Sequence, residues 1–228
     1  MTRQKINPPD KLLIPWHQVD TVMLDMDGTL LDLHYDNHFW LHHVPFCYAR
    51  KLGITTAQAW SILEPEMLRI QGTLDWYSVD YWSEQLQLDI TAMKANLADR
   101  IGFRPHAELF LETLTRAGKH CWLVTNAHPK SLQLKCQITG IDRFFEVIIS
   151  AHELGLAKEQ AEFWQRLHSR HAFQASTSLL IDDSAAALRS AQDYGIRHLL
   201  TIVQPDSSVA GNHDHTFSAI DCFTAIMP

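Results

Sequence analysis

Five short runs of apolar, β-prone residues recur along the chain, at Thr21–Asp25, Cys121–Thr125, Glu146–Ser150, Ser178–Asp182 and His198–Val203. Most are continuous rather than alternating, the pattern of a strand covered on both faces. Helical spacing fills the gaps between them. PHAELFLETLTRAG (105–118) sets Leu109, Phe110, Leu114 and Ala117 near one stripe and ends at Gly118, and PKSLQLKCQITG (129–140) opens on proline and closes on glycine. KEQAEFWQRLHSRH and DSAAALRSAQDYG continue the rhythm. Strand and helix taking turns predict right-handed crossovers and a doubly wound, Rossmann-like α/β core with a parallel sheet.

One interval breaks the alternation. After the first strand, about seventy residues carry no strand pattern but four helical ones, near 36–52, 56–70, 75–87 and 90–99. The expected organisation is therefore a helical insert at 34–102 within a core made of 1–33 and 103–228. Such an insert can sit over the C-terminal edge of the sheet, where open α/β folds bind ligands. LDWYSVDYWSEQL supplies Trp76, Tyr77, Tyr81 and Trp82, most of them expected to pack the insert's own core. The stretch QPDSSVAGNHDHTFSAID reads as a surface loop and short tail.

The formal charge of −7 disfavours a nucleic-acid backbone as partner, since neutralising phosphates takes clustered Lys and Arg. A small phosphorylated molecule stays open, because one local cation can reverse the field in a pocket. Cys47, Cys121, Cys136 and Cys222 have no metal or disulfide spacing, and Cys121 reads as a core residue. The N-terminal MTRQKINPPDKLLIPW lacks the apolar stretch of a secretory signal, and no apolar run is long enough to span a membrane. The expected location is the cytoplasm. His34, His38 and His42 fall at i, i+4 and i+8 and read as a polar helix face, because one helix cannot complete a tetrahedral zinc site.

The chemistry lies at the strand ends. TVMLDMDGTLL (21–31) runs from a buried strand straight into Asp25 and Asp27, and SLLIDDS (178–184) ends in Asp182 and Asp183. Carboxylates this close repel one another and resist desolvation, so a divalent cation is the expected compensation. Oxygen-only ligands in an incomplete set suit Mg²⁺. A lone strand-terminal Asp can instead be a helix N-cap, a role open to Asp183 or Ser184.

These residues also carry a resemblance. DMDGT (25–29), LVTN (123–126), Lys158 in GLAKEQ and IDDS (181–184) resemble, in order, the four motifs of the haloacid dehalogenase (HAD) superfamily of phosphohydrolases. A closer resemblance, to the bacterial purine 5′-nucleotidases of that superfamily, rests on VDTVMLDMDGTLLDL, DNHFW, LDWYSVDYWSEQL, TNAHP and PDSS. Ala157 departs from it, since such proteins often place proline beside the lysine, while Glu159 keeps the acid. The alternative reading of Lys158, as only a surface lysine at a helix start, is the minor one.

The resemblance implies a strand order of 3-2-1-4-5 or its extension, with a helical cap of the C1 type where the insert falls. It implies Mg²⁺-dependent hydrolysis of a phosphomonoester such as GMP or IMP through an aspartyl-phosphate. Asp25 is then the nucleophile and Asp27 the acid/base, with Thr125 and Lys158 completing the catalytic group. Asp25, Asp182 and the main-chain carbonyl of Asp27 hold the metal, and Asp183 binds it directly or orders its waters. Gly28, Asn126 and Asp183 are the expected phosphate-side residues, Gly28 by letting the chain turn sharply off the strand. Phe39, Trp40 or Trp76 would stack on the base, and Asn37 or His38 would hydrogen-bond it or the ribose. A sugar-phosphate phosphatase or phosphomutase, and a non-catalytic ligand-binding module of the same fold, are the alternatives.

Overall fold

Successive side chains of a strand point to opposite faces of its sheet, and here two apolar clusters receive them. The computed structural model describes residues 14–212 and 216–228, so the N-terminal stretch inspected for a secretory signal lies, through residue 13, outside the described residues. In chain order, β1 (Thr21–Leu24) is followed by α1 (His34–His38), a π-turn at Phe39–His43, α2 (Val44–Leu52), α3 (Thr56–Ile70), α4 (Leu74–Tyr77), α5 (Val79–Leu86) and α6 (Ile90–Ala95). Then come α7 (Ala107–Arg116), β2 (His120–Thr125), α8 (Pro129–Thr139), β3 (Val147–Ser150), α9 (Ala151–Leu154) and α10 (Glu162–Arg170). The chain ends with β4 (Ser178–Ile181), α11 (Ala185–Tyr194), β5 (His198–Ile202) and β6 (Ala219–Ile220).

The sheet runs β3-β2-β1-β4-β5-β6, and every pairing is parallel. It is the anticipated order extended by one strand. The stretch read as loop and tail contains β6, which is only two residues long and carries too little pattern to register in the sequence. Residues 213–215 of that stretch lie outside the described residues.

On one face of the sheet, Val22, Leu24, Leu123, Leu179, Ile181 and Leu200 pack against Phe110, Leu111 and Leu114 of α7 and against Phe223 and Ile226. On the other, Met23, Val124, Ile149 and Leu180 meet Phe163, Trp164 and Leu167 of α10 and Leu188 and Ala191 of α11. Leu109, expected on the inner stripe of α7, is exposed, and Leu111 takes the buried place.

The helices of the insert bury a third cluster that includes Phe39, Val44, Leu63, Met67, Val79, Trp82 and Ile90. Its helix ends are locally encoded. Thr55 and Gln58 form a reciprocal capping box ahead of α3, and the Ser78 hydroxyl accepts from the Tyr81 N–H at the start of α5. Trp82 is fully enclosed, and its indole N–H donates to the Trp76 carbonyl at 3.1 Å. Among the described residues no helix is long and apolar enough to cross a membrane.

Trp82→Ala should cost about 3–5 kcal/mol of unfolding free energy in a urea titration, the usual penalty for emptying a large core site. A loss below about 1 kcal/mol would show that this cluster does not hold the insert together.

Candidate active site

Because all strands are parallel, their C-terminal ends share one edge. β1 and β4 are neighbours with Leu24 opposite Ile181, and the Asp25 N–H donates to the Ile181 carbonyl at 3.0 Å. Asp25 and Asp182 therefore leave the sheet side by side. One carboxylate oxygen from each of Asp25, Asp182 and Asp183 lies within 4.8 Å of the others, and no other group of three ligating side chains converges this way among the described residues. The histidine row at 34, 38 and 42 keeps neighbouring rings 6.1 and 5.6 Å apart and is not such a group.

Lys158 enters from the loop after α9 and donates to Asp25 Oδ1 at 2.5 Å and Asp182 Oδ2 at 2.7 Å. It is buried, not a surface lysine, with 2% of its area exposed. Burial works against its charge, yet Asp182 and Asp25 hold its pKa above the usual lysine value. The carboxylates outnumber it. Burial pushes Asp25 up to about 7 against the pull of Lys158, and Asp182 and Asp27 add to the rise. Burial raises Asp183 well above the ordinary range, and the charges of Asp25 and Asp182 raise it further. One ammonium cannot keep three desolvated carboxylates ionised, whereas a divalent cation can. The donor set, all oxygen and incomplete, fits Mg²⁺.

Gly28 has a φ of +84°, and a Cβ there would stand 2.4 Å from Asp183 Oδ2. Its bare α-carbon thus serves the turn and also clears space for the third acid. Asp182 Oδ1 accepts from the Ser184 N–H at 2.8 Å, while Ser184, not Asp183, caps α11.

Asp27 does not join the cluster. Its Oδ1 lies 2.6 Å from Lys135 Nζ, on α8, and the same ammonium donates to Asp36 Oδ2 at 2.6 Å. Asp36 Oδ1 accepts from Lys94 Nζ at 2.8 Å. Burial raises the Asp27 pKa despite Lys135. Burial also opposes the Asp36 charge, but Lys135 and Lys94 hold that carboxyl down at about 2.

At the end of β2, the Thr125 hydroxyl accepts from the Ala127 N–H at 3.1 Å. The Asn126 side chain accepts from the Lys158 N–H at 2.9 Å and donates to both oxygens of Glu159. Tyr77, from the insert, donates to Glu159 at 2.7 Å. Asn126 and Glu159 therefore orient the loop that carries Lys158, and Tyr77 ties the insert to it.

A cavity of about 430 Å³ lies between these residues and the insert, a size suited to a small ligand. Trp40 and Trp76 line it, as do Asn37 and Gln71. Phe39, a stacking candidate from sequence, is instead sealed in the insert's core, and His38 is not in the cavity wall. Asn37 Nδ2 donates to Asp206 Oδ2 at 2.7 Å, so the PDSS loop is a prop for the cavity wall.

Lys135, Asp36, Lys94 and Asp206 were not singled out from the sequence, and Tyr77 was read only among the aromatics packing the insert. Lys135 alone left a trace: it follows Ser131 by four residues on the inner face of α8, beside Leu132, an unusual place for an ammonium.

Residues 19–195 match the family model of haloacid dehalogenase-like hydrolases. The chain is 40% identical over 215 residues to the GMP/IMP nucleotidase YrfG of Escherichia coli K12, covering 94% of this chain and 97% of that one. Among solved structures it is similar to a HAD phosphatase from Thermococcus onnurineus, with a TM-score of 0.75 at 22% identity over 90% of this chain and 95% of the other. It is also similar to the HAD-hydrolase YfnB of Bacillus subtilis bound to magnesium, with a TM-score of 0.63 at 17% identity over 90% and 96%. These last two likenesses speak for the fold.

Gly28→Ala should weaken Mg²⁺ binding by about tenfold or more in calorimetric titration, with the far-UV spectrum retained, because the methyl displaces a carboxylate of the site. An unchanged Kd would remove Asp183 from the metal's surroundings.

Proposed function

Because the chain belongs to the haloacid dehalogenase-like hydrolases, we propose that it is a 5′-nucleotidase that dephosphorylates the purine monophosphates GMP and IMP through a phosphoryl group carried on Asp25. It is a phosphomonoester hydrolase, and its cofactor is Mg²⁺. What carries the proposal is the meeting of Asp25, Asp182 and Asp183 around Lys158 beneath a cavity with tryptophans in its wall.

Asp25, Asp182 and the main-chain carbonyl of Asp27 would hold Mg²⁺, with Asp183 beside it or ordering its waters, and the ion would supply the charge that lets an anionic nucleophile approach a phosphate. Asp25 attacks phosphorus, and its bond to the 5′-oxygen breaks as the aspartyl-phosphate forms. Lys158 steadies Asp25 and the charge spread over the transferring oxygens. The Thr125 hydroxyl and the Asn126 N–H hold those oxygens. Asp27 gives its proton to the leaving 5′-oxygen, then takes one from the water that opens the acyl phosphate. A carboxyl whose pKa is raised by desolvation, against the pull of Lys135, suits a group that must begin protonated.

We assign base recognition to the helices between 34 and 102, acting as a cap over the core formed by 1–33 and 103–228. Trp40 and Trp76 offer π-faces to a purine. Asn37 turns its NH₂ to the Asp206 carboxylate, which accepts only, and so keeps its carbonyl oxygen for a ribose hydroxyl. The likeness to the E. coli GMP/IMP nucleotidase supports the choice of base. All four cysteines are free thiols, in keeping with a reducing compartment, and we assign the enzyme to the cytoplasm.

With Mg²⁺ and a panel of nucleoside monophosphates and sugar phosphates, phosphate release should be fastest from GMP and IMP. EDTA should stop it and Mg²⁺ restore it. Faster turnover of a sugar phosphate would refute the nucleotidase assignment. Asp25→Asn should lower kcat by about a thousandfold or more with the fold intact, and full turnover in that variant would remove Asp25 as nucleophile. Trp40→Ala should raise KM for GMP by about tenfold, the loss of one stacking face. An unchanged KM would remove Trp40 from the base site.

A further inference from the structure

We propose that Lys135 is a positioning residue for Asp27, and that the insert's Asp36 and Lys94 complete the ionic row through which it acts. This rests on the reading of Asp27 as the acid/base of phosphoester hydrolysis. Lys135 is 1% exposed, and its ammonium faces two carboxylates, Asp27 from the loop after β1 and Asp36 from the first helix of the insert. Lys94, almost as deeply buried, takes the other oxygen of Asp36. The row Asp27–Lys135–Asp36–Lys94 is thus two acids and two bases in alternation, each inner charge held from both sides.

All four residues of the row line the same cavity, and its two ends have different surroundings there. Asp27 belongs to the catalytic edge of the sheet. The Lys94 ammonium sits over the rings of Tyr35, Phe39 and Trp40, at 5.0, 4.7 and 5.7 Å from their centroids, and the Tyr35 hydroxyl donates to the Lys94 carbonyl at 2.9 Å. Trp40 is part of the cavity wall. The row therefore links the Trp40 side of the cavity to Asp27 through charged contacts of 2.6–2.8 Å.

Such a row fixes direction. A carboxyl on a short side chain has few ways to turn, and a buried ammonium beside one of its oxygens selects among them. Lys135 holds the Asp27 carboxyl out of the Asp25 cluster and toward the cavity, the side from which a leaving oxygen or a water must be met. It can do so only while Asp36 shares its charge. A buried ammonium with one counter-ion gone settles on the other and draws it closer. The insert must consequently be seated for Asp27 to hold its working orientation.

The test compares Lys135→Met, Asp36→Asn and the wild-type enzyme, each with Mg²⁺, on GMP and on p-nitrophenyl phosphate. Attack by Asp25 on p-nitrophenyl phosphate expels a phenolate that needs no proton, so this first step does not depend on Asp27. Hydrolysis of the aspartyl-phosphate does, because a water proton must be taken. Lys135→Met should lower kcat on GMP by about a hundredfold with KM changed by less than about threefold. On p-nitrophenyl phosphate it should keep a rapid burst of about one phenolate per enzyme, followed by slow turnover. Asp36→Asn should show the same pattern with a smaller loss. Butylammonium should restore turnover in Lys135→Ala in a saturable manner.

A wild-type kcat in Lys135→Met overturns the proposal. So does a loss confined to KM, which would make Lys135 a substrate contact, and so does an equal loss of burst and steady rate, which would make its role merely structural. A wild-type kcat in Asp36→Asn overturns the part assigned to the insert. Absence of turnover by the wild-type enzyme on every phosphomonoester would instead sink the underlying phosphatase reading.

Discussion

Mutual repulsion among three carboxylates at the ends of β1 and β4 is the constraint around which the rest of the molecule is arranged. The parallel register sets Asp25 beside Asp182, and the chain then adds Asp183 within the same few ångströms. Lys158 offsets part of that charge, and its own position depends on Asn126 and Glu159 holding its loop. Gly28 is needed because any side chain there would strike the third acid. What remains uncompensated is the negative charge that Mg²⁺ neutralises, and the same excess attracts no anionic ligand until the metal is present.

Beside this cluster runs a second buried ionic row that reaches into the insert. Buried ion pairs are weak evidence for stability, since their desolvation cancels much of their attraction. Their use here is geometric. The insert keeps an apolar core of its own around Phe39 and Trp82 and, beside apolar contacts from Tyr35, Leu74 and Leu97, meets α8 and the catalytic loops through ionic and polar ones: Lys135 with Asp36, Tyr77 with Glu159, Lys130 with Asp80, and Asn37 with Asp206. Contacts of this kind specify one seated arrangement more sharply than an apolar patch would, because each donor needs its own acceptor.

The sheet was legible in the sequence because each buried strand is a continuous apolar run and each intervening helix has a stripe and a glycine or proline at its ends. The acids at 25, 27, 182 and 183 were legible for the opposite reason, being charges where a buried strand stops. β6 was hidden by its length of two residues. Phe39 was misread because an aromatic beside a cavity and one in a core have the same spacing, and only packing tells them apart. The ionic row stayed out of sight because its members stand at 27, 36, 94 and 135, and nothing local links charges so far apart in the chain.

The most direct measurement is a crystal structure of the protein grown with Mg²⁺ and beryllium fluoride, a mimic of the phosphorylated carboxylate. The expected electron density shows the fluoride adduct bonded to an Asp25 oxygen and a metal about 2.0–2.1 Å from Asp25 and Asp182 oxygens. Density for the adduct or the metal on other residues, with Asp25 bare, would contradict the account at its base.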